Sequence, residues 1–245
     1  RIGNAIEQHR LVTLKGMGGI GKSRCAAEAA RDWTQQRRGR LAVWCQLEHA
    51  KTEEAVLNRL SEALSVPLNG TQTATWSRQI GHVLHSLGHV LLVLDTVEHL
   101  GDDLGMVHNW LGQASGLRIL STSRTRLQME SEHVVEIPAL SEAEGVELLK
   151  QRVQDSGGSS SDVDSLLEMV RRLDGLPLAL ELTAARLSVL SPRQIIERLD
   201  DRFRLLGKRR GSVERHRTLR EALEFSWEHL PAYLREAMGQ LALFK

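Results

Sequence analysis

An eight-residue run near the start of the chain, Gly16-Met-Gly-Gly-Ile-Gly21-Lys22-Ser23, narrows the folds open to this sequence more than any other feature. It has the spacing G-x-x-x-x-G-K-[ST]. Its glycines let the backbone curl until successive N–H groups point inward, where they can hydrogen-bond phosphate oxygens. A short apolar strand signal, Leu11-Val-Thr-Leu14, precedes the run, and a helix signal from Ser23 to Gln36 follows it. The positive end of a helix dipole therefore adds to the cradle. In that setting Gly16, Gly18, Gly19, Ile20, Gly21, Lys22, Ser23 and Arg24 are the residues expected around a phosphate chain. Lys22 has the reach for the outer phosphates, and Ser23 carries the hydroxyl that ligates Mg²⁺.

Two further strand ends carry chemistry. Val90 to Leu94 is an unbroken apolar run, the pattern of a strand buried on both faces, and it ends in Asp95. That places a carboxylate at the carboxyl edge of a sheet, where ligands bind in such folds and where Asp95 can hold Mg²⁺. Glu98 is the candidate for polarising an attacking water. Leu117-Arg-Ile-Leu120-Ser-Thr-Ser123-Arg124 is a strand that ends in hydroxyls and then an arginine. The Arg124 guanidinium is the candidate reader of a terminal phosphate. Asp95 and Ser23 are the metal candidates, and Lys22, Asp95, Glu98 and Arg124 the catalytic ones.

The chain alternates strand and helix signals up to Pro138. Strands are expected at Leu11–Leu14, Leu41–Cys45, Val90–Leu94, Leu117–Leu120 and His133–Ile137, and helices at Ser23–Gln36, Thr52–Leu64 and Thr75–Leu87. Arg1 is expected to lead almost directly into the first strand, with both ends of the chain cut. The pattern implies an α/β fold, a parallel sheet with helices on both faces. After Pro138 the strand signals stop. Ser141-Glu-Ala-Glu144 and Ser191-Pro-Arg-Gln194 are capping boxes that open helices, and Pro177 can occupy a first helical turn. We expect a nucleotide-binding domain over 1–138, a helical domain over 139–207, and over 208–245 a basic linker followed by the helices of a further domain.

Composition excludes some classes. With 41% apolar and 26% charged residues the chain is an ordinary globular one, and a net charge of +1 gives no bulk pull on DNA or an anionic membrane. No apolar run approaches a membrane span. Cys25 and Cys45 form neither a disulfide framework nor a zinc site. These features favour the cytoplasm. His82, His85 and His89 are read as a solvated helix face, since no acidic or cysteine ligand accompanies them. The basic stretch from Lys208 to Arg220 lacks interleaved aromatics and is read as a solvated linker.

Four motifs, in order, carry a resemblance: Gly16 to Ser23, LLVLDTVEHL over 91–100, ILSTSR over 119–124 and GLPLAL over 175–180. They resemble the STAND class of P-loop ATPases, its NB-ARC-like branch in particular. RTLREALEFSWEHL over 217–230 resembles the ATPase region of large bacterial transcriptional regulators of that class. The resemblance implies a P-loop sheet domain, a helical lid and the start of a winged-helix domain. It implies binding of ATP or ADP with Mg²⁺, slow hydrolysis, a switch role in signal transduction or transcription regulation, and self-association when active. Further domains of the same full-length chain would be partners, and DNA would be met only through domains outside these residues. Arg124 matches the family's sensor arginine. Pro177 matches the proline of the helical domain that packs on adenine. Two departures stand out: Thr96 follows Asp95 where the family has an acidic or amide residue, and no glycine-arginine-glutamate element is visible in Arg1-Ile-Gly3-Asn. The first leaves open a scaffold that holds nucleotide without hydrolysis. A P-loop kinase or ATPase whose turnover is itself the function is the other alternative.

Overall fold

Every residue of Val90–Asp95 is buried, and the fold is built around that strand. Its side chains alternate: Leu92 and Leu94 join one apolar cluster, Leu91 and Val93 another. A strand with both faces covered is what the unbroken apolar run requires. A computed structural model describes residues 1–98, 100, 104–155, 162–187, 190–197, 234–236 and 240. The described chain divides into two units, Arg1–Ile137 and Pro138–Lys245.

The first unit holds β1 (Leu11–Lys15), β2 (Leu41–Gln46), β3 (Val90–Asp95), β4 (Leu117–Ser123) and β5 (Glu132–Glu136). All pairs are parallel, in the order β2-β3-β4-β1-β5. The strand that leads into the glycine-rich turn is thus not beside β3; β4 stands between them. On one face lie α3 (Glu53–Leu64), α4 (Thr73–Ser86) and α5 (Gly105–Gln113), which bury Leu57, Leu60, Ile80, Leu84 and Trp110. On the other lie α1 (Ile2–Gln8) and α2 (Lys22–Gln36), with Ile6, Ala26 and Trp33. Local chemistry explains the ends. Thr52 caps α3 by accepting from the Ala55 amide at 3.3 Å, with Glu53 and Glu54 in the first turn. Arg10 closes α5 at its other end, donating to the carbonyls of Leu111 and Ala114 at 2.7 and 2.5 Å and to that of Leu117 at 3.2 Å.

The sheet with helices on both faces is as expected, and four strands fall within a residue or two of their expected places, while β4 runs three residues further than expected, to Ser123. Two helices were not foreseen. Arg1 does not lead into the first strand: α1 comes first, burying Ala5 and Ile6. At seven residues it is too short to show a period. The other, α5, has no side-chain cap and a glycine near each end, so its start and stop signals are missing. His82, His85 and His89 are exposed. Cys25 is half-buried, Cys45 is buried, and both are free thiols.

In the second unit α6 (Glu142–Asp155), α7 (Val163–Arg172) and α8 (Pro177–Ala184) pack around Val146, Leu149, Met169, Val170 and Leu180. The Ser141 capping box is present: Glu144 accepts from the Ser141 amide at 2.8 Å, and Ser141 Oγ accepts from the Glu144 amide at 3.3 Å. The Ser191–Gln194 box is there too. The basic linker, the 217–230 helix and nearly all of the expected winged-helix start lie outside the described residues. Among the described residues no helix is long and apolar enough to cross a membrane.

Candidate functional site

The carboxyl ends of β1, β3 and β4 converge on one place. After β1 the chain enters the glycine-rich turn, and the Gly16 amide is anchored on the Ser123 carbonyl at the end of β4, 3.2 Å away. A side chain at Gly16 would press on Ile20 Cγ2 and the Ile137 carbonyl at 3.0 and 3.2 Å. Gly21 sits at φ 94, a left-handed conformation in which a Cβ is strained, and it is the residue from which α2 springs. Gly18, Gly19 and buried Ile20 complete the turn. The first amides of α2, at Lys22, Ser23 and Arg24, have no intrahelical partner by helix geometry and carry the positive end of its dipole.

Lys22 lies back across the turn. Its ammonium donates to the carbonyls of Gly16 and Met17 at 3.0 and 2.8 Å. Burial holds its pKa below the ordinary lysine value; Arg124 acts the same way, while the carboxylates of Glu98 and Asp95 oppose them. An anion with the charge of a phosphate chain would offset that desolvation. Arg24 is exposed in the first turn of α2.

Asp95 is 6% exposed and faces the turn. Ser23 Oγ donates to Asp95 Oδ1 at 2.7 Å, so the serine proton is spent on the carboxylate and its lone pairs stay available. One hydroxyl oxygen and one carboxylate are hard ligands of the kind Mg²⁺ takes, and the residues fit such an ion. Glu98 and Arg124 are joined: Arg124 Nε donates to Glu98 Oε1 at 2.9 Å. Among the described residues, the second oxygen, Glu98 Oε2, is buried with no hydrogen-bond partner. The sequence placed Glu98 and Arg124 in separate jobs and did not foresee their contact.

Pro177 belongs to the second unit, as the first residue of α8, and is half-exposed there. The first unit thus gathers Lys22, Ser23, Asp95, Glu98 and Arg124. One residue of this group escaped sequence reasoning. Thr122, fully buried on β4, donates to Asp95 Oδ1 at 2.5 Å and accepts from the Thr96 amide at 2.8 Å. Its signal was the run of hydroxyls that ends β4, residues that a buried strand end does not need.

A family model described as the NB-ARC domain matches residues 4–157. A protein of Mycobacterium tuberculosis provisionally named an HTH-type transcriptional regulator is 36% identical, over 91% of this chain and 25% of its own length. An uncharacterised protein of the same organism is 33% identical, over 98% of this chain and 62% of its own length. The chain therefore spans about a quarter of the first relative and under two thirds of the second. Among solved structures, a Walker-type ATPase of Pyrococcus abyssi matches with a TM-score of 0.58 at 16% identity, covering 81% of this chain and 68% of that one. A STAND protein with a tetratricopeptide repeat sensor from Pyrococcus horikoshii matches with a TM-score of 0.52 at 18% identity, covering 81% and 31%. Both share the fold. With its glycine-rich turn, its Asp95 strand and a family model over more than half its length, the chain belongs to the NB-ARC family and has the fold of the STAND-like P-loop ATPases.

Proposed function

We propose that this chain is the adenine-nucleotide switch of a larger regulatory protein. It binds ATP or ADP, hydrolyses ATP slowly, and passes the difference between the two to the rest of the molecule. Ser23 and Asp95 would hold Mg²⁺, which would supply the positive charge that the phosphates need. The observation that carries the reading is the Arg124–Glu98 ion pair. The Arg124 side chain is 59% exposed against 18% for Glu98, and a pair whose guanidinium is open to solvent contributes only about 1 kcal/mol. A charge-assisted hydrogen bond to phosphate is worth roughly 1.5–3 kcal/mol. A third phosphate therefore wins the guanidinium, and the Glu98 carboxylate is released to take a proton from water. ADP offers no third phosphate and leaves the pair closed.

The test is paired titration of wild type and Arg124→Ala with ADP and a non-hydrolysable ATP analogue. We expect the variant to lose affinity for the analogue by at least about tenfold and to keep ADP affinity within about twofold. Equal loss for both nucleotides would remove Arg124 as the sensor. The same ion pair also supports a second reading, a scaffold that holds nucleotide without hydrolysing it, because Arg124 occupies the candidate base. Single-turnover measurement separates the two: slow release of phosphate supports the switch, none supports the scaffold. The name of the first relative supports placing the switch in a transcription regulator, with other domains of the longer chain and further copies of it as partners. A cytoplasmic location is part of the same proposal.

A further inference from the structure

We infer that Thr122 is the positioning residue of this site, setting both the carboxylate of Asp95 and the turn that delivers Glu98. The inference rests on the nucleotide-site reading above. Its basis is the sheet order: β4 lies between β1 and β3, so among the described residues the last residues of β4 are the only strand residues flanked by both the glycine-rich turn and Asp95.

The hydrogen bonds at Thr122 have a fixed direction. The Thr96 amide can only donate, so Thr122 Oγ1 accepts from it, at 2.8 Å. The single hydroxyl proton then goes to Asp95 Oδ1, at 2.5 Å. The Thr122 carbonyl accepts from the Val97 amide at 3.1 Å. One buried residue thus holds three consecutive residues at the end of β3. Ser23 also donates to Oδ1, and no described residue hydrogen-bonds Asp95 Oδ2. Two donors on one oxygen turn the carboxylate so that the other oxygen is the free ligand.

Thr96 has φ 66, in the left-handed region that a β-branched residue rarely enters. The amide bond to Thr122 and the next one at Val97 hold it there. The chain turns sharply at that point, and two residues later the Glu98 carboxylate meets Arg124. An acidic residue directly after Asp95 is absent, and the pinned turn brings Glu98 to the site in its stead. A residue that merely filled a buried strand position could be valine. The hydroxyl is what the site uses.

The experiment uses the full chain with Thr122→Val and Thr122→Ser, titrated with ADP and a non-hydrolysable ATP analogue in Mg²⁺ and again in excess EDTA. Outer-shell partners of a metal ligand typically carry about 10–100-fold of metal affinity. We expect Thr122→Val to lose that much Mg²⁺ affinity in the nucleotide complex while binding in EDTA stays within about twofold of wild type. Thr122→Ser restores the Mg²⁺ effect. If Thr122→Val does not yield folded protein, Thr122→Ala is read in the same way. Equal weakening in Mg²⁺ and EDTA, or a serine variant that behaves like valine, overturns the inference. Should wild type bind nucleotide no better with Mg²⁺ than without, the site reading falls and this inference with it. A wild-type Mg²⁺ effect that Thr122→Val retains in full overturns the role of Thr122 alone.

Discussion

Lys22 shows how the site balances its own charges. Half-buried against the carbonyls of Gly16 and Met17, its ammonium is partly desolvated, and the nearest carboxylates, Glu98 and Asp95, only partly compensate. Glu98 is in turn engaged by Arg124, and Asp95 by the hydroxyls of Ser23 and Thr122. The site therefore has a lysine whose neighbours are committed elsewhere, and on the proposed reading a phosphate chain would supply its counter-charge. Removing the lysine should act on binding and not on folding, because its two hydrogen bonds go to carbonyls of a half-buried turn outside the apolar core. Charge-assisted hydrogen bonds are worth roughly 1.5–3 kcal/mol, so Lys22→Ala should weaken ADP and ATP binding at least about tenfold. Calorimetric titration checks this, with the thermal midpoint as the control for the fold. Unchanged affinity for both nucleotides would refute the phosphate role of the turn.

At the scale of elements, the helical unit depends on how α7 passes into α8. Two residues in succession, Asp174 and Gly175, have positive φ, 51 and 61. Asp174 tolerates this better than most residues, and glycine pays nothing. Gly175 also has no room: a Cβ there would overlap the Leu140 carbonyl oxygen, while the Leu140 amide donates to the Gly175 carbonyl at 3.0 Å. Gly175→Ala should destabilise the second unit by more than about 2 kcal/mol, combining backbone strain with a clash against backbone that cannot rotate away. Limited proteolysis of the variant should release cuts within 138–197 before cuts in the sheet. An unchanged digestion pattern would mean that the α7–α8 passage yields more readily than its packing implies. This glycine was legible as part of GLPLAL, and the β3 strand and the α2 helix were legible from an unbroken apolar run and a glycine-rich turn. What could not be read was pairing. Nothing local in Leu117–Ser123 says that β4 inserts between β1 and β3, because register and order come from packing of whole faces. Thr122, Arg10 and the Arg124–Glu98 contact follow from that insertion, so they stayed hidden. α1 and α5 were missed for a different reason, since a short helix without caps leaves too few periodic positions to count.

At the scale of the molecule, the residues proposed to face phosphate all belong to the first unit, and Pro177 belongs to the second. The switch reading needs those two groups to do separable jobs. Adenine is common to ATP and ADP, so the proposed contact from Pro177 would tie the helical unit to either nucleotide equally. Only a contact to the third phosphate can tell them apart, and a ligand shifts a conformational equilibrium only by its differential affinity for the two states. Pro177 stands at the first position of α8, where any residue is compatible with the helix, so its loss should cost the fold little. On that reading the ring would present a few methylenes to the base, and removing them should weaken both nucleotides about fivefold. Arg124→Ala should narrow the gap between the ATP analogue and ADP while leaving ADP nearly intact. If the two residues act independently, the double variant should lose affinity by the product of the single factors, to within roughly 0.5 kcal/mol. Titration of all four proteins with both nucleotides completes the cycle, and solution scattering with each ligand reports the arrangement of the units. We expect the ATP analogue and ADP to give different scattering curves in wild type and in Pro177→Ala at saturation, and the same curve in Arg124→Ala. Curves that still differ in Arg124→Ala would show that something other than this arginine distinguishes the nucleotides, and the switch would have to be rebuilt on that contact.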